Sequence, residues 1–173
     1  LLVLATVAAF AAHAQTTDTL KKIKDSGSAT MGVRESSGAL SYTLGDGKFA
    51  GFHVEVCQKV LADIQKAQGL AKLDVKYVPV TSQNRIPLVQ NGTVDIECGS
   101  TTNNATRQKD VAFAPTTYVE EVRMAVKANS GITSIAQLNG KKVATTTGTT
   151  SVQTLRKNER ATGVNFDEVF GTD

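Results

Sequence analysis

Three arginines, Arg34, Arg85 and Arg107, stand in or beside short runs of hydroxyl side chains. The runs are Arg34-Glu35-Ser36-Ser37, Thr81-Ser82-Gln83-Asn84-Arg85 and Gly99-Ser100-Thr101-Thr102; a fourth, Thr146-Thr147-Gly148-Thr149-Thr150, has no arginine of its own. A guanidinium is a planar fork that grips a carboxylate through two parallel hydrogen bonds. Serine and threonine add short, rotatable donors. The chemistry this combination suits is capture of a small anion. One carboxylate does not need three arginines, so a dicarboxylate fits the set better. Loop-to-helix turns at Ser82 and Thr149 would add backbone N–H groups and the positive helix end. Blander readings exist for each part: a lone arginine is usually a solvated charge, and hydroxyls after a strand are usually helix caps.

Other chemistries find less support. The histidines are His13 and His53. No Cys-His or Ser-His-Asp set can be assembled around them. Neither CxxC nor HExxH occurs, so no metal site is expected. The Thr-rich run lacks the GxxxxGK[ST] spacing of a phosphate-binding loop, and no cofactor is expected. Glu35, Asp95 and Glu97 fall near strand ends; Glu97 alternates away from Ile96 and Cys98 and reads as a flank rather than an acid or base.

These residues need a scaffold. The chain has 173 residues, 40% hydrophobic and 20% charged, with no tryptophan, which is a globular composition. The net charge of +3 comes from scattered lysines and arginines. Nucleic-acid binding would need a basic stripe, and there is none. Residues 1–12, LLVLATVAAFAA, are apolar and uncharged, and Ala12-His13-Ala14 gives a small-x-small pattern. That is the apolar region and cleavage site of a secretory leader, so residues 1–14 are set apart from the fold. With no starting Met or basic segment, the sequence is expected to begin inside that leader. A periplasmic location follows, in an oxidising compartment. Cys57 and Cys98 could then form one bridge or remain two buried thiols.

From Leu20 onward the expected elements alternate. A capped helix ends at Gly27, and a strand covers Ala29–Val33. Asp46-Gly47 marks a tight turn in a polar stretch. Phe52–Ala67 is the clearest helix, with Phe52, Val56, Val60 and Ile64 in an apolar stripe beside Cys57 and Leu61. Next come a strand at Leu73–Val80, a helix at Asn84–Asn91, a strand at Val94–Cys98, a helix at Asn103–Lys109 and a strand at Val111–Ala114. After Pro115 the pattern restarts: strand Tyr118–Val126, a short helix Ser134–Leu138, strand Lys142–Thr145, helix Thr149–Asn158 and strand Phe166–Phe170. This order predicts an α/β fold with a largely parallel sheet. Ligands bind beyond the carboxyl ends of such strands, where all four hydroxyl runs fall.

Thr81–Asn103, TSQNRIPLVQNGTVDIECGSTTN, and Gly32–Ser37, GVRESS, together with the later KKVATTTGTTS, resemble periplasmic solute-binding proteins of polar amino acid ABC transporters. Among these, the likeness is greatest to the glutamate/aspartate-binding members, and it runs from about Leu20 to Asp173. The resemblance implies a two-lobed clamshell of the type II class. Residues 15–117 would form the first lobe and 118–173 the start of a second, truncated one. It further implies that Arg107 with Ser100–Thr102 holds the ligand's α-carboxylate and ammonium end. Arg34, Ser82 and Arg85 would take the side-chain carboxylate, and Thr146 and Thr149 would complete the grip on closure. The partners implied are L-glutamate or L-aspartate and a membrane permease, with the binding protein a monomer and not an enzyme. Two alternatives stay open: a dehydratase-like enzyme on the same clamshell, and a ligand-binding sensor domain.

Overall fold

The computed structural model describes residues 18–172. Helix α1 (Thr19–Ser26) opens on Asp18, whose carboxylate accepts from Lys21 N–H, and ends on Gly27 at φ 63°. Strand β1 (Ser28–Val33) follows, then a 3-10 turn at Gly38–Leu40, strands β2 (Tyr42–Gly45) and β3 (Lys48–Ala50), and helix α2 (Phe52–Ala67). Strand β4 (Asp74–Pro79), helix α3 (Arg85–Gln90) and strand β5 (Ile96–Cys98) complete the first sheet region. Beyond it lie 3-10 turns at Arg107–Lys109 and Ile135–Leu138, strand β6 (Lys142–Thr146), helix α4 (Thr150–Thr162) and strand β7 (Asp167–Gly171).

The first sheet has the order β4-β1-β5, and both pairings are parallel. β6 and β7 form a second parallel pair. The α/β class and parallel sheet are therefore as expected. The central strand β1 is buried along Met31 and Val33, which pack with Ile23, Ala29, Val54, Cys57, Leu61 and Cys98 into one core. Val75 and Tyr77 on β4, with Leu73 just before it, line that core, the alternating face read from the sequence. Cys57 and Cys98 are joined as a disulfide, with Cα atoms 6.3 Å apart, so α2 is tied to the end of β5.

Four expectations need correction. The stripe on α2 runs through Val54, Cys57, Leu61 and Ile64, while Phe52 and Val60 are 48% and 41% exposed. A strict four-residue step overruns the 3.6-residue turn and drifts off the face, whereas spacings of 3, 4 and 3 stay on it. Val111–Ala114 and Tyr118–Val126 form no strand. Strands exist by pairing, and no described segment pairs with either; Val119, Val122, Met124 and Val126 stay exposed along the second. The helix expected over Asn103–Lys109 shrinks to the turn Arg107–Lys109, because Asn104 Oδ1 accepts from Arg107 N–H and the loop before it runs out to Thr102. The tight turn expected at Asp46-Gly47 is present, and it closes a short antiparallel hairpin, β2-β3. Its two turn residues sit at φ 51° and 71°, the left-handed pair that twists a tight hairpin correctly. Residues 1–14, read from the sequence as a leader, lie outside the described residues.

Candidate functional site

Arg34 follows the last residue of β1 and is only 5% exposed. Its backbone is pinned by Ser41, whose hydroxyl accepts from Arg34 N–H at 2.9 Å and donates to Arg34 C=O at 3.2 Å. Its guanidinium donates to Val80 C=O at 2.9 Å, to Ser82 Oγ at 3.3 Å and to Ser37 Oγ at 3.1 Å. Ser37 Oγ is in turn 3.0 Å from Ser100 Oγ. Arg34 thus ties together the loops after β1, β4 and β5. Burying a guanidinium costs several kcal/mol unless its donors are met, so its place under these loops is strongly specified.

Arg85 is the first residue of α3 and is 3% exposed; Ser82, just before it, is 7% exposed. Neither serves as the helix cap. Thr81 and Asn84 do that between themselves: Thr81 N–H donates to Asn84 Oδ1 at 2.8 Å, and Asn84 N–H to Thr81 Oγ1 at 3.2 Å. Ser82 and Arg85 both stand in the segment that follows β4, where Ser82 Oγ accepts from the Arg34 guanidinium.

Arg107 is half-buried and sits where the two sheets meet. It donates to Thr102 C=O at 3.0 Å and to Gly148 C=O at 3.1 Å. Burial draws its pKa below the ordinary arginine value, and the charge of Glu97 opposes that. Gly148 approaches closely from the second sheet: a Cβ there would lie 2.6 Å from Ser82 C=O, and its φ is 75°. Thr149, the residue before α4, does not cap it; its hydroxyl donates back to Thr146 C=O at 2.7 Å. Thr102 Oγ1 stands 3.5 Å from Thr150 Oγ1. The eight residues singled out in the sequence, Arg34, Ser82, Arg85, Ser100, Thr102, Arg107, Thr146 and Thr149, therefore lie along one continuous seam between the sheets.

Three members of the seam were not read from the sequence as site residues. Glu97 on β5 points its carboxylate at this cluster, and its Oε1 is buried with no hydrogen-bond partner among the described residues. Burial pushes its pKa up; Thr101, Arg85, Arg34 and His53 pull it down, and burial wins. The alternation that set Ile96 and Cys98 on the core face could have placed Glu97 on the site face instead. His53, at the start of α2, donates from Nδ1 to Gly99 C=O at 2.6 Å, and its Nε2 lies 2.7 Å from the Thr117 hydroxyl. Gly99 has no room for a side chain, because a Cβ would meet Arg34 Cγ and Glu97 Oε1. No spacing signal could have found the contacts of His53 with Gly99 and Thr117 or of Gly99 with Arg34, since all are long-range in the chain.

This arrangement offers a buried cationic edge, convergent hydroxyls and one internal carboxylate, on the carboxyl ends of parallel strands. Residues 29–171 match the model of the bacterial extracellular solute-binding proteins, family 3. The chain belongs to that family. It is 49% identical over 142 residues to the L-glutamate/L-aspartate-binding protein of Pseudomonas aeruginosa, covering 81% of this chain and 47% of that one. It is 44% identical over 139 residues to the glutamate/aspartate import solute-binding protein of Escherichia coli K12, covering 80% and 46%. The chain spans about half the length of the curated relatives it matches. Among solved structures, the ancestral amino acid-binding protein AncCDT-1, a precursor of cyclohexadienyl dehydratase, superimposes with a TM-score of 0.72 at 25% identity, covering 88% of this chain and 64% of that one. The fold class is thus that of this solute-binding family, and an extracytoplasmic setting comes with it.

Proposed function

We propose that this chain carries the ligand-capturing part of a periplasmic binding protein that collects L-glutamate or L-aspartate for an ABC transporter. The observation that carries the reading is the burial of Arg34 and Arg85, 5% and 3% exposed, beside Ser82 at a sheet edge that Arg107 shares. Buried arginines gathered at one place favour a ligand with more than one carboxylate. In this reading Arg34, Ser82 and Arg85 receive the side-chain carboxylate. Arg107 with Ser100 and Thr102 receives the α-carboxylate, and Thr146 and Thr149 close over the ligand. Residues 15–117 and 118–173 belong to two lobes, residues 1–14 are a secretory leader, the protein is a monomer, and it performs no catalysis. The two relatives named for glutamate and aspartate binding support the choice of ligand.

A thermal-shift screen of the full-length protein against the amino acids tests this. L-glutamate and L-aspartate should raise the unfolding temperature, and asparagine, glutamine and lysine should raise it far less. Stabilisation by a basic amino acid alone would overturn the reading. One observation favours a second reading, a dehydratase-like enzyme: the buried acid Glu97 next to the seam, on a fold shared with a dehydratase precursor. Turnover of a cyclic carboxylic acid by the purified protein would support it.

A further inference from the structure

A carboxylate inside an anion site competes with the ligand for the same cations. Glu97 is placed to do this. It leaves β5 on the face opposite the core, where β1 offers only Gly32; a Cβ on Gly32 would lie 3.6 Å from Glu97 Cγ. That is ordinary contact; the atoms such a Cβ would crowd are Val94 Cγ1 and Val80 Cγ1, at 3.0 and 3.3 Å. At the next position, Gly99, the backbone lies against both Arg34 Cγ and Glu97 Oε1. The charged and titratable groups that act on Glu97 come from every neighbouring element. They are Arg34 from the loop after β1, His53 from α2, Arg85 from α3 and Arg107 from the turn after β5, with the Thr101 hydroxyl on its own loop.

An arriving dicarboxylate changes this balance in one direction. Its carboxylates take up guanidinium charge that had been offsetting Glu97, and they bring like charge close to it. Closure over the ligand also removes water. Each effect favours the neutral carboxyl. Its Oε1 already has no hydrogen-bond partner among the described residues, and the Thr101 hydroxyl is the one neutral group that favours the charged form.

We propose that Glu97 takes up a proton when an acidic amino acid is captured, so that binding is proton-coupled and tightens as pH falls. This rests on the reading of the seam as an acidic amino acid site. Glu97 is then a positioning residue: its charge balances the guanidinium groups around it and is given up when the ligand arrives. The balance closes simply, with one proton moving from solvent to the Glu97 carboxylate for each ligand bound.

Titration calorimetry of the full-length protein with L-glutamate, at about pH 6 to 8 in buffers of different ionisation enthalpy, tests the proposal. The wild type should take up a proton fraction that approaches about one at the pH of greatest linkage, with Kd rising up to about tenfold per pH unit there. Glu97→Gln should bind at least as tightly at the upper end of the range and show neither uptake nor slope. Infrared difference spectra of the wild type give a readout that needs no variant: a protonated-carboxyl band should appear on adding ligand. Glutamate binding without buffer dependence and without that band overturns the proposal but leaves the acidic-ligand reading standing. Uptake that persists in Glu97→Gln also overturns it, and moves the proton to another group such as His53. Failure to bind any acidic amino acid removes the reading beneath it and the proposal together.

Discussion

Reducing the Cys57–Cys98 bridge should destabilise the protein strongly while leaving the folded site nearly unchanged. The bridge spans a sequence separation of 41 and links the middle of α2 to the last residue of β5. A cross-link of that span removes unfolded-chain entropy worth about 4 kcal/mol at room temperature in the loop-closure model. Both sulfurs sit in the core, 8% and 2% exposed, so the reduced thiols remain buried and pack as small hydrophobes. The native contacts around Gly99 and Ser100 then persist, since β1 still pairs with β5 at Val33 and Cys98. Urea unfolding of the full-length protein, oxidised and reduced, measures the first quantity; glutamate titration of the reduced, folded protein measures the second. The account expects a loss of about 4 kcal/mol in unfolding free energy and a Kd that stays within about threefold, ~0.7 kcal/mol. A loss below about 1 kcal/mol would refute the entropic argument. A full-sized loss of affinity would show that the bridge shapes the site itself.

Further outcomes follow from single residues. Asp95 has a side chain 3% exposed and accepts from both Lys22 Nζ and Thr30 N–H at 2.8 Å, so Asp95→Ala strands the Thr30 N–H and takes the ion pair from Lys22, which keeps Gly92 C=O. It should cost about 3 kcal/mol in urea unfolding, discounted for the partly exposed lysine. Gly99→Ala drives a methyl into Arg34 and Glu97 and should weaken glutamate binding by more than about tenfold, ~1.4 kcal/mol, with the circular dichroism spectrum unchanged. Stability should also respond to pH through Glu97. Burial raises its folded pKa above the unfolded one, so between the two the native state holds more protons. Stability contributed by this group is therefore highest below the unfolded value and falls as pH rises through the folded one. Glu97→Gln should flatten that fall, as read from unfolding midpoints across the pH range.

Much of the site was legible because its parts are local. Hydroxyl runs after strands, two of them with an arginine inside the run, are patterns in consecutive residues, and parallel α/β topology brings strand ends to one edge. Phe52–Ala67 was bounded correctly for the same reason, its cues lying within a few turns. What could not be read depends on partners distant in the chain. The stripe on α2 was assigned one face too far round, because several apolar residues competed and only packing on β1 and β5 decides among them. Val111–Ala114 and Tyr118–Val126 have strand-like composition, but pairing is not a property of composition. The hairpin β2-β3 is exposed on every residue of its first strand, so burial left no alternation to detect. Glu97 was read as a flank for a physical reason too. The charged and titratable groups that act on it, Arg85, Arg34 and His53, come from three other parts of the chain.

The central claim is that buried arginines select a ligand by its second carboxylate. Titration calorimetry of the full-length protein and its Arg85→Ala variant with L-glutamate and L-glutamine tests this most directly, because the two ligands differ only at the side-chain end. The account predicts that Arg85→Ala costs glutamate about a hundredfold in affinity, ~2.7 kcal/mol, and costs glutamine less than about tenfold. Equal losses for both ligands would contradict it, and would assign Arg85 to holding the loop rather than reading the ligand.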